Sequence, residues 1–382
     1  MKSLNILHTV EFYAPHIGGA EKVVQGISEE LVKRGHRVTV ATTKNPERPF
    51  FSLNGVEIVG FDIRGNLANG FSGGDIHSYL GFLQHYPADV VMNYAAQQWA
   101  TDLAFHLVGK KRHGRAYVIA PCGYSALKDV NTIGVTEYTK YYNTIVPGIL
   151  PLYDAAIYHS SIYQDYQFAK KLALKNSFVI PNFVDGSEFQ AAGTSDFRAK
   201  YQITTPFLLL SVGNFVKNKG QDKAIETIKA LRRSDVTLVL IGNEGEMLEK
   251  LRQQAEGTNT RFLTNIPRAD TVAAFKSADL FLFGSRVEAA PLVILEAMAA
   301  GLPFVSTDCG NVRELSGGAV CIPEDMADFT QRLLEDAPAR RDFGSKGRKE
   351  FEERFTLKAV VDRYESLYYE LVDIKTPKSV AA

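Results

Sequence analysis

The sequence predicts an α/β fold with two open, mostly parallel sheets that follow one another along the chain. The chain has 382 residues, more than one hydrophobic core usually organises. Short β-branched runs alternate with amphipathic stretches, which is typical of strands buried on both faces and joined by helices. This pattern starts again at residue 207, after the weakly periodic residues 186–206. We therefore expect two doubly wound domains, at residues 1–185 and 186–356, facing a central crevice.

The first half opens with a buried strand at residues 4–10 and an amphipathic helix at 18–34. The helix places its apolar residues on one side and is expected to stop at Gly35. Further strands are predicted in this half, mostly with helical stretches between them. They lie at residues 37–41, 57–61, 89–94, 117–120 and 156–159.

The second half has the same alternation and ends in consecutive helices at residues 325–373. Its strands are predicted at residues 207–212, 237–241, 261–264, 280–283 and 304–307. Its earlier helices are predicted at about residues 220–233, 246–256, 270–277 and 291–300.

Composition excludes several classes of protein. The 43 basic and 43 acidic residues cancel, whereas a dedicated nucleic-acid-binding protein is normally strongly basic. The three cysteines, Cys122, Cys309 and Cys321, are too scattered for a disulfide framework or a structural zinc site. The apolar stretch near the start contains Asn5 and His8, unlike a signal peptide. No uncharged apolar stretch reaches the roughly 18 residues that a membrane-spanning helix needs. A cytoplasmic location is therefore expected.

The strongest local motif runs from Glu288 to Glu296 and joins a strand to a helix. Pro291 suits the first position of that helix, where the first amides and the helix dipole favour an anion such as phosphate. Two carboxylates on either side of a phosphate site could bind hydroxyls at both ends of a diphosphate. The alternative is an ordinary capped helix with one exposed acid.

Two further turns join a strand to a helix. Gly213 ends a strand, and Lys217 and Lys219 precede the next helix, where a lysine could neutralise a leaving diphosphate. A solvated loop lysine is the alternative. Gly18 and Gly19 follow the first strand and would permit close approach of the backbone to a ligand.

Motifs for other chemistries are absent from the sequence. No Gly-x-Gly-x-x-Gly follows a strand, and no Gly-x-x-x-x-Gly-Lys-[Ser/Thr] occurs, so a dinucleotide cofactor and a P-loop are disfavoured. No Asp-x-Asp pair is present to hold a metal–diphosphate complex. We expect neither a metal nor a cofactor.

Taken together, these motifs resemble a glycosyltransferase of the GT-B fold, family 4 (group 1), over nearly the whole chain. The resemblance is carried by Gly18-Gly-Ala-Glu21, Ile180-Pro-Asn-Phe-Val-Asp185, Gly213 with Lys219-Gly220, Gly242-Asn-Glu-Gly245, Lys276-Ser-Ala-Asp279, Glu288 to Glu296 with the following Ala-Met-Ala-Ala-Gly-Leu-Pro303, and Gly310-Asn-Val-Arg-Glu314. It implies retaining transfer of a sugar from a nucleoside-diphosphate donor, such as a UDP- or GDP-sugar, in a metal-independent hexosyltransferase type of reaction.

The resemblance also assigns roles to residues. Glu296 would hold the ribose hydroxyls, Glu288 would lie near the transferred sugar, and Lys219 would bind the diphosphate. The remaining donor contacts would come from backbone at Gly18, Gly19, Gly213, Asn265, Ile266, Ala290, Pro291, Leu292 and Val293. The last helix, at about residues 357–372 within the segment 357–382, would cross back onto the first domain.

The sequence departs from the family pattern at several positions. Asn214 stands where many members have an arginine that contacts the diphosphate, and Lys217 is the nearby cation that would compensate. Ala289 and Ala290 replace a glycine and a bulky residue. Phe183 replaces a glycine between the domains, and Cys122 lies where many members have a histidine.

The acceptor side would be built by first-domain loops at residues 66–75 and 125–146. The acceptor itself stays open between a glycan, a lipid-linked molecule and a small molecule, and the chain between a monomer and a homodimer. The basic run 110–115 could contact acidic lipids at the inner face of a membrane, although a solvated helix end explains it more simply. Two alternative functions are a GT-B sugar-nucleotide epimerase and a catalytically weak sugar-nucleotide-binding protein.

Overall fold

The computed structural model describes residues 2–16, 18–109, 114–124, 138, 140–190 and 196–375. Residue contacts divide the chain into two compact units. The first comprises Met1–Asn182 and Leu357–Ala382, and the second comprises Phe183–Thr356. The sequence prediction placed the boundary after residue 185, three residues later than this division.

The first unit contains an eight-stranded sheet with the order β10-β9-β8-β7-β1-β2-β4-β3. Every pairing in it is parallel except that of the short edge strand β3 with β4. A separate antiparallel hairpin is formed by β5 and β6. The strands are β1 (Asn5–Thr9), β2 (Arg37–Thr43), β3 (Ser52–Leu53), β4 (Val56–Phe61), β5 (Arg64–Asn66), β6 (Gly70–Ser72), β7 (Val90–Tyr94), β8 (Ala116–Ala120), β9 (Ala155–Tyr158) and β10 (Ser177–Val179).

Helices connect these strands and pack on the sheet. The α-helices of the first unit within the described residues are Gly19–Lys33, Ile76–His85, Trp99–Asp102, Phe105–Val108, Val146–Ile149, Gln164–Lys171 and Leu357–Lys375, with a π-helical turn at Tyr141–Ile145. The last of these helices comes from the end of the chain, and it packs against helix Gly19–Lys33. Its Glu365 accepts from Arg34 at 2.8 Å and lies 2.9 Å from His36 Nε2, which fastens the chain end to this unit.

The second unit contains a six-stranded, fully parallel sheet with the order β13-β12-β11-β14-β15-β16. Its strands are β11 (Phe207–Val212), β12 (Val236–Gly242), β13 (Thr260–Thr264), β14 (Leu280–Phe283), β15 (Phe304–Thr307) and β16 (Gly318–Cys321). Its α-helices within the described residues are Ser187–Gln190, Phe197–Lys200, Gln221–Leu231, Leu248–Gln254, Arg268–Ser277, Leu292–Ala300, Met326–Glu335 and Ala337–Arg354.

The continuous apolar strands of this sheet are explained by two cores, one on each face. Leu208 and Leu210 belong to one buried cluster, and Leu209 between them belongs to the other. Successive side chains of a strand point to opposite faces, so a strand covered on both sides needs apolar residues at every position. The predicted fold class is therefore confirmed, with two doubly wound parallel sheets.

Several local predictions were wrong. Strands β10 and β16 were missed, because their half-buried edge positions give only short apolar runs. The hairpin of β5 and β6 overlaps the segment 66–75 that was predicted as a loop. Pro291 is the residue before helix Leu292–Ala300, with ψ at 119°, and is not its first helical residue. This extended conformation places the start of the helix one residue later.

Candidate functional site

The candidate site lies where the strand order of the second unit reverses. The chain runs outward from β11 through β12 to β13 and then returns to place β14 beside β11. The loops that leave β11 and β14 therefore diverge to opposite sides, which opens a crevice at the carboxyl ends of these two strands. The first loop carries Lys217 and Lys219, and the second carries Glu288.

Two glycines, Gly220 and Gly284, allow these two loops to pack closely against each other. Gly220 has a left-handed φ of 62°, and a Cβ atom there would lie 1.8 Å from the carbonyl oxygen of Gly284. A Cβ atom at Gly284 would in turn lie 2.4 Å from the carbonyl oxygen of Gly220. Ser285 adds a hydrogen bond of 2.8 Å from its Oγ to the carbonyl oxygen of Asn218. Only glycine permits this close approach. It brings the loop after β11, which carries the lysines (the lysine loop), next to the loop after β14, which carries Glu288 (the acidic loop).

Lys219 and Glu288 meet at this contact. The Nζ atom of Lys219 donates to Oε1 of Glu288 at 2.7 Å. Ser285 Oγ lies 3.1 Å from the same oxygen and shares its one hydroxyl proton between this oxygen and the carbonyl oxygen of Asn218. The lysine side chain is 36% exposed and the glutamate side chain 15% exposed. A cation and a carboxylate are thus fixed next to each other with the lysine still reachable from solvent.

The loop after β11 is fastened by a glutamine that the sequence reasoning missed. Gln221 Nε2 donates to the carbonyl oxygens of Gly213 at 2.8 Å and Asn214 at 3.0 Å. Gly242, at the end of β12, packs so tightly here that its Cβ atom would lie 2.1 Å from the carbonyl oxygen of Gly213. Asn214 and Lys217 have exposed side chains at the same edge.

Helix Leu292–Ala300 begins beside the acidic loop. The first amides of an α-helix, here from Leu292 and Val293, have no intrahelical acceptor and carry the positive end of the helix dipole. Glu296 lies one turn further along, with its side chain only 9% exposed. The helix ends at Gly301, which has a left-handed φ of 68°. A polar carboxylate buried this deeply needs a partner.

Arg268 is such a partner, and the sequence reasoning also missed it. Its Nη2 atom lies 2.6 Å from Glu296 Oε1 and 2.6 Å from Glu188 Oε2. Burial lowers the pKa of Arg268, but the charges of Glu296 and Glu188 outweigh burial and raise it. The only sequence signal was an arginine at the start of a helix, three residues after Asn265, and nothing in the sequence paired it with either glutamate.

The loop after β13 completes this edge of the sheet. Asn265 has a φ of 54°, a left-handed conformation that asparagine adopts more readily than most residues. Ile266 is half-buried and packs against the core. The second-unit residues to which the sequence assigns donor contacts therefore lie on the carboxyl side of the same sheet, in the loops after β11, β13 and β14 or in the helix that follows β14.

Another cation, Arg286, contacts the backbone of the lysine loop. Its guanidinium donates to the carbonyl oxygen of Lys217 at 2.9 Å and to Asp222 Oδ1 at 2.9 Å. The hydrogen bond to Asp222 raises the pKa of Arg286. Burial raises the pKa of Asp222, but its bonds to Arg286 outweigh burial and lower it. Both groups stay charged at neutral pH and hold the loop in place.

The remaining candidates lie in the first unit. Gly18 precedes helix Gly19–Lys33 with extended dihedral angles, and a Cβ atom on it would lie 2.1 Å from the carboxylate of Glu21. The two glycines thus sit at the turn after β1, with the glutamate of the same motif folded back over the first of them.

Cys122 is a thiol in a buried setting. Burial raises its pKa to about 12, and its Sγ lies 3.6 Å from Nε2 of His159. Burial lowers the pKa of His159, whose Nδ1 lies 3.0 Å from the carbonyl oxygen of Ile180. Neither group is charged at neutral pH, so this pair does not form an activated nucleophile.

Residues 110–113 of the basic run 110–115 lie outside the described part of the chain. Arg115 is 6% exposed, and its guanidinium donates to the carbonyl oxygen of Leu83 at 2.7 Å. Arg115 is therefore not part of an exposed basic surface, and lipid contact by the rest of the run stays a prediction. Most of the predicted acceptor loop 125–146 also lies outside the described residues.

Neither a metal cluster nor a membrane span is found in the described residues. They contain no group of three or more histidine, cysteine or acidic side chains arranged to hold a metal ion. Within the same ranges, no helix combines the length and the apolar character needed to cross a bilayer.

Comparison with known proteins identifies the family. Residues 17–188 match the family described as Glycosyltransferase Family 4, and residues 194–350 match the one described as Glycosyl transferases group 1. The chain is a glycosyltransferase of family 4 (group 1). The match agrees with the motifs in both units and disfavours the epimerase alternative.

Relatives that align along most of the chain support the assignment. The chain is 26% identical to N-acetyl-alpha-D-glucosaminyl L-malate synthase of Bacillus anthracis over 94% of this chain and 95% of that protein. It is 25% identical to a phosphatidylinositol N-acetylglucosaminyltransferase chain of Arabidopsis thaliana over 87% of this chain and 74% of that protein.

Solved structures confirm the predicted GT-B fold. Sucrose-phosphate synthase of Thermosynechococcus elongatus has a TM-score of 0.78 at 18% identity, with 97% of this chain and all of that chain covered. The Anabaena protein HepE in complex with UDP-glucose has a TM-score of 0.75 at 17% identity, with 96% of this chain and all of that chain covered.

Proposed function

We propose that the chain transfers a hexose from a nucleoside-diphosphate donor to an acceptor hydroxyl, with retention of the anomeric configuration. The observation that carries the proposal is the contact of Lys219 with Glu288 at the point where the strand order reverses, next to the start of helix Leu292–Ala300. A cation and helix amides there suit a diphosphate, and a neighbouring carboxylate suits sugar hydroxyls.

The donor is held by its diphosphate and its ribose. Lys219 and the amides of Leu292 and Val293 bind the diphosphate, and Glu296 accepts hydrogen bonds from the ribose hydroxyls. Ala290 and Pro291, in the turn before the helix, lie against the phosphate or the sugar. Support comes from the spacing along the helix, since Glu296 lies roughly 6–8 Å along the axis from its start at 1.5 Å per residue.

The other contacts are made by backbone. Gly213 and Asn214 approach the diphosphate from the loop after β11, while Lys217 supplies a second positive charge at the rim. Asn265 and Ile266 contact the base from the loop after β13. Gly18 and Gly19 are proposed as the backbone donor contacts of the first unit.

The transfer step needs no nucleophile from the protein. The bond between the anomeric carbon and the diphosphate oxygen breaks, and both electrons go to that oxygen. The acceptor oxygen forms its bond to the anomeric carbon on the same face, and its proton passes to the departing phosphate. Lys219 and the helix amides stabilise the negative charge that grows on the leaving diphosphate. Glu288 binds the transferred sugar and orients it.

We propose further that this step is metal-independent, because a lysine and helix amides supply the positive charge that a metal would otherwise supply. The relatives include a synthase named for malate and a transferase named for phosphatidylinositol. The acceptor of this chain is accordingly a glycan, a lipid-linked molecule or a small molecule, and the site of action is the cytoplasm or the inner face of its membrane.

The first experiment identifies the donor base. Thermal unfolding is measured with UDP, GDP, ADP and CDP, since binding at about 100 times Kd adds about 2.7 kcal/mol of stability. Stabilisation by UDP or GDP alone is the expected result. No stabilisation by any nucleoside diphosphate would contradict the donor site.

The second experiment separates the enzyme from its alternative, a protein that only binds sugar nucleotides. Asn214 and Cys122, where the chain departs from the family pattern, keep this alternative open. Hydrolysis of the donor without acceptor distinguishes the two, because a transferase releases the nucleoside diphosphate slowly to water and a binding protein does not.

A further inference from the structure

Arg268 lies between two glutamates at the edge of the proposed donor site. It is the first residue of helix Arg268–Ser277, directly after the loop of Asn265 and Ile266. Its Nη2 atom contacts both carboxylates, and its Nε atom makes a second contact of 3.1 Å to Glu188 Oε2. One guanidinium therefore links the short helix Ser187–Gln190 to the donor-site helix.

On the side away from the donor-site helix, Glu188 and Phe189 hold Arg268 in place. Glu188 receives two hydrogen bonds from Arg268, at 2.6 and 3.1 Å, and the guanidinium carbon lies 5.8 Å from the centroid of the Phe189 ring. The planar guanidinium of arginine can donate two hydrogen bonds to a carboxylate and lie beside an aromatic ring at the same time. The ammonium group of lysine is a flexible point charge and does not match this arrangement.

The inner side acts on Glu296. The glutamate side chain is 9% exposed, so its charge-assisted contact with Arg268 restricts where its carboxylate lies. A carboxylate accepts about four hydrogen bonds, so pairing with Arg268 is compatible with bonds from two ribose hydroxyls. Without the arginine, the buried charge would lose its compensating cation.

We propose that Arg268 is a positioning residue for donor binding, which is anchored by Glu188 and Phe189 and holds the Glu296 carboxylate where it accepts the ribose hydroxyls. This inference rests on the proposed role of Glu296. It adds a residue that acts through that carboxylate without being required to touch the nucleotide itself.

The test compares nucleotides with and without ribose hydroxyls. Dissociation constants are measured by calorimetry for UDP and GDP and for their 2′,3′-dideoxy forms, with the wild-type chain, Arg268→Gln, Arg268→Lys and Glu296→Ala. Glu188→Gln removes only the outer anchor. Arg233→Gln is the matched control, because Arg233 also pairs with a carboxylate, Asp235, at 2.6 Å.

For the ribonucleotide that binds, Arg268→Gln is expected to raise Kd about tenfold or more, equivalent to about 1.4 kcal/mol. Arg268→Lys and Glu188→Gln should raise it several-fold, and Arg233→Gln should leave it unchanged. For the dideoxy form, all these changes should shrink to less than about twofold, because the hydroxyls that Glu296 would bind are absent. A merely structural arginine would weaken both forms equally.

Two results would overturn the inference while leaving the proposed function intact. One is an Arg268→Gln chain that binds ribonucleotides as the wild type does, although Glu296→Ala weakens them. The other is an equal loss for ribo and dideoxy forms. If Arg268→Gln does not fold, the same comparison is made with Arg268→Lys and Glu188→Gln. If the wild type binds no nucleoside diphosphate, the proposed donor site fails as well. If Glu296→Ala is insensitive to the ribose hydroxyls, the ribose role of Glu296 fails and takes this inference with it.

Discussion

Replacing Lys219 with alanine tests the assignment of the leaving-group cation. The lysine Nζ lies 2.7 Å from Glu288 Oε1 and is 36% exposed, so it is already oriented at the crevice before a donor binds. Charge on the diphosphate grows in the transition state, so the loss should appear in kcat more than in KM. Removing one preorganised group of this kind typically lowers kcat about 10²–10³-fold.

The effect on stability should be much smaller. The pair of Lys219 and Glu288 is partly exposed, and such pairs typically contribute about 0.2–1 kcal/mol. Ser285 Oγ remains 3.1 Å from the carboxylate after the substitution, so a hydroxyl donor is still within reach of Glu288. A loss of about 3–4 kcal/mol in transition-state stabilisation without a comparable loss of folding stability would therefore reflect catalysis.

The assay follows release of the nucleoside diphosphate under saturating donor, with thermal unfolding measured on the same preparations. Lys217→Ala is the matched control, because this lysine is exposed two residues away in the same loop. It should lower kcat much less than Lys219→Ala does. A severe loss in Lys217→Ala with a mild one in Lys219→Ala would refute the assignment of these two lysines. If neither change matters, lysine has no part in the chemistry.

Three further predictions address the ribose, metal and loop contacts. Glu296→Ala should weaken binding of the nucleoside diphosphate, because it removes about two charge-assisted hydrogen bonds of roughly 1.5–3 kcal/mol each, and unchanged affinity by calorimetry would argue against the ribose role. Activity should survive excess EDTA, and a complete loss restored by a divalent cation would reveal a metal requirement. Gly284→Ala would place a Cβ atom 2.4 Å from the Gly220 carbonyl oxygen and 2.7 Å from Lys223 Cβ. This overpacking should lower the free energy of unfolding by about 1–3 kcal/mol and should also lower kcat. An unchanged denaturation midpoint and unchanged activity would show that the loop contact is dispensable.

The fold could be predicted from the sequence because its signals are local and strong. Leu208, Leu209 and Leu210 form an uninterrupted apolar run, and only a strand with a core on each face requires one. Edge strand β16 has half-buried residues throughout, so its pattern is weak and it was missed. The start of helix Leu292–Ala300 was misplaced by one residue, since proline is compatible with either position at a helix start.

The candidate site was only partly predictable. Lys219, Glu288 and Glu296 stand in motifs whose spacing indicates a phosphate site, and the structure places them along one sheet edge. Arg268 and Gln221 were missed because their partners are distant in sequence or are backbone carbonyls. Arg268 lies 28 residues from Glu296 and 80 from Glu188, and no local pattern predicts an ion pair at such separations.

The central claim is that this chain breaks the bond between a sugar and a nucleoside diphosphate with Lys219 at the leaving group. The most direct measurement incubates the wild type and Lys219→Ala with UDP- and GDP-sugars without acceptor, and follows nucleoside diphosphate and free sugar by NMR. The account predicts slow release by the wild type from one donor, with the anomeric configuration of the freshly released sugar retained, and release at least about 10²-fold slower in the variant. Donor that binds to the wild type and stays intact, or equal release by both chains, would contradict it.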